Sequence, residues 1–219
     1  MDSRPVEYDV EQGTPEWRAL RRGRITGSRA NSLFRRTSRG WATGRAHMVS
    51  TIAMERLHGD RAASGEGAAQ RRGHDNEAAA RDAYSFHTGA EVELVGFMTR
   101  SDHPMEGVSP DGLVGSDGAV EFKVPTALEK HVDYVLNGSH VAEYEGQLRH
   151  TLYVTGRAWI DVVSYYPEAA PNLQLAIRRV TRADVGMADY PEMLDAAWAE
   201  IDARAEALVA VQRAAMEAA

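Results

Sequence analysis

The sequence contains no cysteine in 219 residues. Disulfides, thiolate nucleophiles, cysteine-bound zinc and iron–sulfur clusters are therefore excluded. A chain of this length can bury roughly 70% of its unfolded surface, so its fold needs no covalent or metal cross-link. No apolar run approaches the roughly 18 residues of a membrane span, and no signal segment precedes the first helix. We expect a soluble, cytoplasmic protein with no membrane partner.

Lysine is also scarce. The 25 basic residues include only two lysines, Lys123 and Lys130, and all the others are arginine. A lysine in a chemically suggestive position is therefore more informative here than in an average sequence.

Charge is unevenly distributed along the chain. The formal net charge of -7 disfavours a protein that coats nucleic acid without specificity. Residues 14–46, however, carry nine arginines against the single acid Glu16, whereas residues from 181 onward carry eight acids against three arginines. This asymmetry indicates a localised anion site in the first quarter of the chain, and the alternative is a solvated arginine-rich helix face.

Hydrophobic periodicity and turn residues predict a single α/β (α+β) domain over residues 1–219. It has a central mixed β-sheet flanked by helices. We divide it into an N-terminal arm (1–13), a core (14–180) and a C-terminal helical segment (181–219). The predicted helices are 14–23, 26–34, 43–58, 68–87, 126–136, 140–154 and 190–217. A loop is predicted at 59–67, and the predicted strands lie at 92–98, 118–124, 159–166 and 173–180.

The strand at 118–124 contains the most informative residues. Side chains alternate across a strand, so Glu121 and Lys123 share one face while apolar neighbours occupy the other. Asp111 lies ten positions before Glu121, in the turn-like segment 109–112. If the strand that ends at this turn pairs with strand 118–124 as a hairpin, Asp111 and Glu121 come together beside Lys123.

Two carboxylates and a lysine suit phosphodiester hydrolysis assisted by a divalent metal. Mg²⁺ prefers oxygen ligands, which Asp111, Glu121 and the backbone carbonyl of Phe122 would supply. Lys123 would orient or deprotonate the attacking water, or stabilise charge in the transition state. The alternative is an exposed hairpin with a cross-strand Glu–Lys pair of a few tenths of a kcal/mol.

Two further side chains are candidates for the same site. Glu77 lies on the long helix before the sheet, where a carboxylate could reach the metal; the alternative is a surface pair with Arg81. Gln147 could position a water or a phosphate, although a glutamine on a helix is more commonly a solvated residue. The eight histidines show no metal-ligand spacing and are expected at the surface or in the core.

Over most of its length the sequence resembles the phage lambda exonuclease family, also called YqaJ-type viral recombinases, of the PD-(D/E)xK nuclease superfamily. The matching segments are residues 17–29; Gly73, Glu77, Arg81 and Tyr84; residues 109–113; residues 120–125; and Gln147 with residues 152–155.

The resemblance implies a restriction-endonuclease-like fold and an activity. That activity is Mg²⁺-dependent, ATP-independent digestion of double-stranded DNA from a 5′ end, releasing mononucleotides and leaving a 3′ overhang. Mn²⁺ is the expected substitute metal. The sequence contains no Gly-x4-Gly-Lys-Ser/Thr, which is consistent with ATP independence. The resemblance further implies a ring-shaped homotrimer and a single-strand annealing protein as the partner. It also implies a phage or prophage protein that acts in a bacterial host.

The resemblance also assigns residue roles. Asp111 and Glu121 carry over as metal ligands, Lys123 as the catalytic lysine, and Glu77 as the helix carboxylate, in direct or indirect contact with the metal. Gln147 carries over as the glutamine that supports the water and the lysine. The residues expected to bind the 5′-phosphate and the DNA are Arg21, Ser28, Ser109 and Arg24.

One position departs from the family. The apolar residue that separates the strands falls on Gln70, followed by two arginines. Two other functions remain open: a different nuclease of the same fold, acting on single strands or internally, and a non-catalytic protein that binds DNA ends.

Overall fold

The computed structural model describes residues 4–38, 40–58 and 68–218, and describes side chains for these except 58 and 68–75. The loop predicted at 59–67 and the side chain of Gln70 therefore lie outside the described residues. The described part of the chain forms eight helices: α1 (Pro15–Arg21), α2 (Gly27–Phe34), α3 (Gly44–His58), α4 (Ala68–Thr88), α5 (Leu128–Asn137), α6 (Ser139–Glu143), α7 (Glu145–Thr155) and α8 (Tyr190–Glu217).

The strands alternate with these helices along the chain. They are β1 (Pro5–Tyr8), β2 (Ile25–Thr26), β3 (Arg36–Thr37), β4 (Gly40–Trp41), β5 (Val92–Glu93), β6 (Phe97–Arg100), β7 (Glu106–Val108), β8 (Gly112–Val114), β9 (Gly118–Lys123), β10 (Trp159–Tyr165) and β11 (Leu175–Thr181).

Local sequence signals set the start of α1. The backbone of Thr14 is extended, and its Oγ1 accepts a hydrogen bond of 3.2 Å from the Trp17 N–H. Pro15 occupies the first helical position, where no N–H is needed. The predicted helix start is therefore confirmed.

The larger sheet has five strands in the order β11-β10-β9-β8-β5. The β9–β10 pair is parallel and the other pairs are antiparallel, which confirms the predicted mixed sheet. A second sheet has the order β1-β6-β7-β2, and β3 and β4 form a separate hairpin. Because β1 pairs with β6, residues 5–8 of the predicted N-terminal arm belong to a sheet.

The single helix predicted over 140–154 is wrong. The structure contains two helices, α6 and α7, separated at Tyr144, whose φ of -110° and ψ of 15° are not helical. Hydrogen bonding continues across the break, because Tyr144 N–H donates to His140 O and Leu148 N–H donates to Tyr144 O. Neither glycine nor proline occupies the break itself, although Gly146 follows it by two positions.

Helix α7 lies close to α2, and this contact positions part of the site. A Cβ added at Gly146 would lie 2.8 Å from the Cα of Asn31, so a larger residue would separate the two helices. Gln147, the next residue, reaches within 3.4 Å of the Cβ position of Gly27 at the start of α2. The first helices of the chain are thereby brought against the helix that carries Gln147.

The C-terminal helix α8 packs on the body of the protein. Its buried residues, Tyr190, Leu194, Ala197 and Ile201, recur at the three- and four-residue spacing of one helix face. They join a core cluster with Ile25 and residues of α2 and α3. No helix in the described part of the chain has the length and apolar character required to cross a membrane.

Candidate active site

Three of the predicted site residues meet on the β8–β9 hairpin. The register pairs Gly112 with Val120, which places Asp111 and Glu121 at the same end of the pair. Gly112 itself must be small, because an added Cβ would lie 2.2 Å from Val92 Cγ1 on the neighbouring strand β5. Glu121 is only 4% exposed. A solvated pair on an exposed hairpin therefore does not describe this site.

A short hydrogen-bond network connects the carboxylates, the lysine and the glutamine. Glu121 Oε1 accepts hydrogen bonds from Lys123 Nζ at 2.7 Å and from Gln147 Nε2 at 2.5 Å. Asp111 Oδ2 accepts one from the backbone N–H of Phe122 at 2.7 Å. Glu121 Oε2 is buried and has no hydrogen-bond partner among the described residues. The predicted grouping of Asp111, Glu121, Lys123 and Gln147 is thus present in the structure.

Crowding of negative charge perturbs the ionisation of this group. Burial, followed by the charges of Glu121 and Glu77, raises the pKa of Asp111 well above its ordinary value. Burial alone would lower the pKa of Lys123, but the charges of Glu121 and Asp111 outweigh it and raise that pKa. Lys123 is therefore a cation near neutral pH, beside carboxylates that repel one another.

These residues fit a Mg²⁺ ion that keeps part of its shell for water and phosphate. Two carboxylates and one backbone carbonyl are a typical protein contribution to such a site. The buried Glu121 Oε2 lacks a partner, as expected for an oxygen that binds a cation. Within the described residues no group of three or more acidic or histidine side chains forms a closed metal cluster. The fit is therefore to Asp111, Glu121 and the carbonyl of Phe122, and Glu77 lines the same cavity as Asp111.

Glu77 and Asp111 line one cavity of about 390 Å³, together with residues 9–12 of the N-terminal segment. Gln12 fixes this segment, because its Nε2 donates to Val95 O at 2.9 Å and to Pro110 O at 3.1 Å. Pro110 lies between Ser109 and Asp111, so Gln12 supports the turn that carries both. No local sequence pattern indicates this role of Gln12, because its partners lie more than eighty positions away.

A second, smaller cavity of about 150 Å³ contains the predicted phosphate-binding residues. Arg21, Ser28, Ser109 and Gln147 all line it, and Trp17 forms part of its wall. Arg21 Nη2 donates to Ser28 Oγ at 3.3 Å, and its guanidinium lies 4.1 Å from the centre of the Trp17 ring. Trp17 Nε1 in turn donates to Ser109 Oγ at 2.8 Å. Gln147 therefore borders this cavity while its amide donates to the carboxylate of Glu121.

Arg21 remains cationic in this cavity. Burial and the neighbouring charge of Arg29 lower its pKa to about 10, with partial compensation from Glu55. Arg29 itself forms a two-pronged ion pair with Glu55, at 2.7 and 2.8 Å.

Arg24 does not join this cavity lining. Its guanidinium contacts the carbonyls of Pro104 and Leu20. Arg45, another arginine of the basic segment, is buried and pairs with Glu200 at 2.7 Å. Among these arginines, Arg29 and Arg45 form ion pairs within the fold, whereas Arg21 lines the smaller cavity.

Two buried histidines pack inside the protein, in agreement with the prediction that the histidines lie at the surface or in the core. His131 contacts Ser164 Oγ and Leu173 O, and His150 contacts the hydroxyl of Tyr190 and the carbonyl of Ile25. Both are core residues.

The fold and the site place the chain in the nuclease class. The family model described as YqaJ-like viral recombinase domain matches residues 16–158. The chain belongs to this YqaJ-like viral recombinase family, which includes the lambda-type alkaline exonucleases.

Two solved structures of one protein are similar throughout. The alkaline exonuclease LHK-Exo from Laribacter hongkongensis is 32% identical with a TM-score of 0.80, over 94% of this chain and all (100%) of that one. Its complex with dAMP is 33% identical over the same shares, also with a TM-score of 0.80.

A more distant structure shares the fold alone. The phage-related exonuclease from Haemophilus somnus 129PT is 12% identical, with a TM-score of 0.61, over 86% of this chain and 96% of that one. No curated protein matches the sequence.

Proposed function

We propose that this protein is a Mg²⁺-dependent, ATP-independent exonuclease that digests double-stranded DNA from 5′ ends. One observation carries the proposal: Gln147 donates to Glu121 and also lines the cavity that contains Arg21. An anion-binding cavity of about 150 Å³ thus adjoins the carboxylates. A terminal phosphate held there would place the first phosphodiester bond of the same strand beside the carboxylates.

The chain's own residues have distinct tasks in this reaction. Arg21, Ser28 and Ser109 would bind the 5′-phosphate, because a guanidinium and two hydroxyls are suitable donors to phosphate oxygens. Gln147 would hold Glu121 in the orientation that Lys123 also fixes.

At the scissile bond, Asp111, Glu121 and the carbonyl of Phe122 would hold Mg²⁺ or, as a substitute, Mn²⁺. When bound, the metal would polarise the scissile phosphate and favour ionisation of a water. Lys123, a cation whose Nζ lies 2.7 Å from Glu121 Oε1, would donate to the charge that develops on the phosphate.

The products follow from this arrangement. Removal of one nucleotide at a time from the 5′ end releases 5′-mononucleotides and leaves a 3′ single-stranded overhang. Such an overhang is the substrate of a single-strand annealing protein, the partner that we propose. The family resemblance further supports a ring-shaped homotrimer and an origin in a phage or prophage, acting in the bacterial cytoplasm.

Digestion of end-labelled linear duplex tests the proposal. With Mg²⁺ and no ATP, a label at the 5′ end should appear at once as mononucleotide, whereas a strand labelled at its 3′ end should shorten gradually. Chelation of the metal should stop both. Cutting of closed circular duplex, or faster digestion of single strands, would instead indicate the other nuclease functions. DNA-end binding without hydrolysis would indicate the non-catalytic one.

A further inference from the structure

Tyr144 lies beside the catalytic lysine, at a position that no motif marked. The ammonium of Lys123 is 3.9 Å from the centre of the Tyr144 ring. On its other side the same ammonium donates to Glu121 Oε1 at 2.7 Å. Lys123 is thus held between a carboxylate and an aromatic face, and its side chain is 17% exposed.

The break between α6 and α7 occurs at this same residue. A continuous helix over 140–154 is what the sequence pattern predicts, yet Tyr144 has a non-helical backbone. Local departures from the pattern of a sequence are common at functional sites. Here the departure coincides with the residue whose ring contacts Lys123.

Other aromatic rings support the ring of Tyr144. His140 meets it edge to face, with ring centres 6.1 Å apart, and stacks on Tyr134 at 4.8 Å. The Tyr134 hydroxyl donates to Val162 O at 2.5 Å. Val162 is the residue that pairs with Glu121 in the β9–β10 ladder. The row of rings therefore connects Tyr144 to the strand position next to the catalytic carboxylate.

His140 contributes packing to this row. Burial lowers its pKa, so the ring is neutral, and neither ring nitrogen has a hydrogen-bond partner among the described residues. An uncharged ring between two tyrosines can stack without repelling the nearby ammonium of Lys123.

We propose that Tyr144 is a positioning residue for Lys123, whose ring face holds the ammonium in place for phosphodiester hydrolysis; this inference rests on the proposed nuclease function. A lysine side chain has many rotamers, and a cation over an aromatic face within about 6 Å is attracted to it. The ring, and not the hydroxyl, is the group that acts on Lys123.

Two substitutions separate the ring from the hydroxyl. Tyr144→Phe retains the aromatic face, and Tyr144→Leu removes it while keeping an apolar side chain. For digestion of 5′-phosphorylated duplex, we expect kcat of Tyr144→Phe within about twofold of the parent. We expect a loss of about 30-fold for Tyr144→Leu, with the KM for DNA ends unchanged.

Tyr153→Leu is the matched control. Tyr153 is also half-buried, with the guanidinium of Arg100 4.2 Å from its ring centre, but it does not contact Lys123. The same exchange there should leave kcat unchanged. Equal losses of kcat at Tyr144 and Tyr153, or equal losses in Tyr144→Phe and Tyr144→Leu, would overturn the proposal.

A second readout is independent of nuclease activity. Because the chain has only two lysines, protein labelled with ¹³C at the lysine ε carbon gives two NMR signals, which Lys123→Arg assigns. The exposed Lys130 serves as the internal reference.

The aromatic face should displace the ε-proton signal of Lys123 upfield in the parent and in Tyr144→Phe, and Tyr144→Leu should abolish this displacement. A Lys123 signal that is the same in Tyr144→Leu and the parent would refute the contact, even if the protein digests no DNA. A displaced signal in a protein without nuclease activity would instead overturn the proposed function and leave the contact established.

Discussion

Acid should destabilise the folded protein through one buried histidine, His150. Its ring is fully buried and contacts the hydroxyl of Tyr190 at 2.8 Å and the carbonyl of Ile25 at 3.1 Å. The carbonyl requires a donor, so we assign the proton of the neutral ring to Nε2, leaving Nδ1 to accept from the tyrosine. Protonation of Nδ1 would place a charge in the core.

The magnitude follows from the pKa. Burial lowers the pKa of His150 from its ordinary value of 6.5 to about 4. Above pH 6.5 the histidine is neutral in both the folded and unfolded states and has no effect. Between pH 6.5 and 4 only the unfolded state binds the proton, so stability falls as the pH falls. The loss is about 2 kcal/mol at pH 5 and about 3 kcal/mol below pH 4.

This loss of stability is measured by urea unfolding of the parent and of His150→Gln, each at pH 7.5 and at pH 5. Gln at this position cannot titrate, so the variant retains the contributions of every other group, including His140, whose pKa is also lowered by burial. We expect the parent to lose about 2 kcal/mol more than the variant between the two pH values. Equal losses in the two proteins would refute the reasoning.

Three further predictions concern the site and the assembly. Lys123→Ala should lower the rate constant of single-turnover digestion by about 100-fold or more, while DNA-end binding persists. A loss below about tenfold would contradict the role of Lys123. Arg21→Ala should reduce the preference for a 5′-phosphate by about tenfold to a hundredfold, whereas Arg157→Ala, at a half-buried arginine that contacts the carbonyl of Gly115, should not. Light scattering at micromolar concentration should give about three times the chain mass of 24.0 kDa, and the monomer mass would contradict the ring.

Patterns that depend on local chemistry were predictable from the sequence. The cap at Thr14 and the helix Tyr190–Glu217 follow from residues within one or two turns of each feature. The proximity of Asp111 and Glu121 follows from the alternation of side chains and the short connection between two antiparallel strands. The proximity of the two carboxylates at the candidate site was therefore predictable from the sequence alone.

Features that depend on distant partners were not predictable. Strand β1 forms because residues near position 100 pair with it, and Arg45 is buried because Glu200 lies beside it. Gln12 acts on a turn almost a hundred positions away. No glycine or proline occupies the break at Tyr144, the residue whose ring packs on Lys123. Contacts between residues far apart in the chain determine each of these features, and a single sequence does not show such contacts.

In the proposed reaction, the cavity around Arg21 and the carboxylates beside Gln147 act on one DNA end. The most direct test is the digestion of a linear duplex with Mg²⁺ and without ATP. The duplex has a 5′-phosphate at one end and a 5′-hydroxyl at the other, and its two strands carry different labels. We expect mononucleotides to be released first from the phosphorylated end, at a rate at least about tenfold higher. Equal release from the two ends would contradict the proposed reaction.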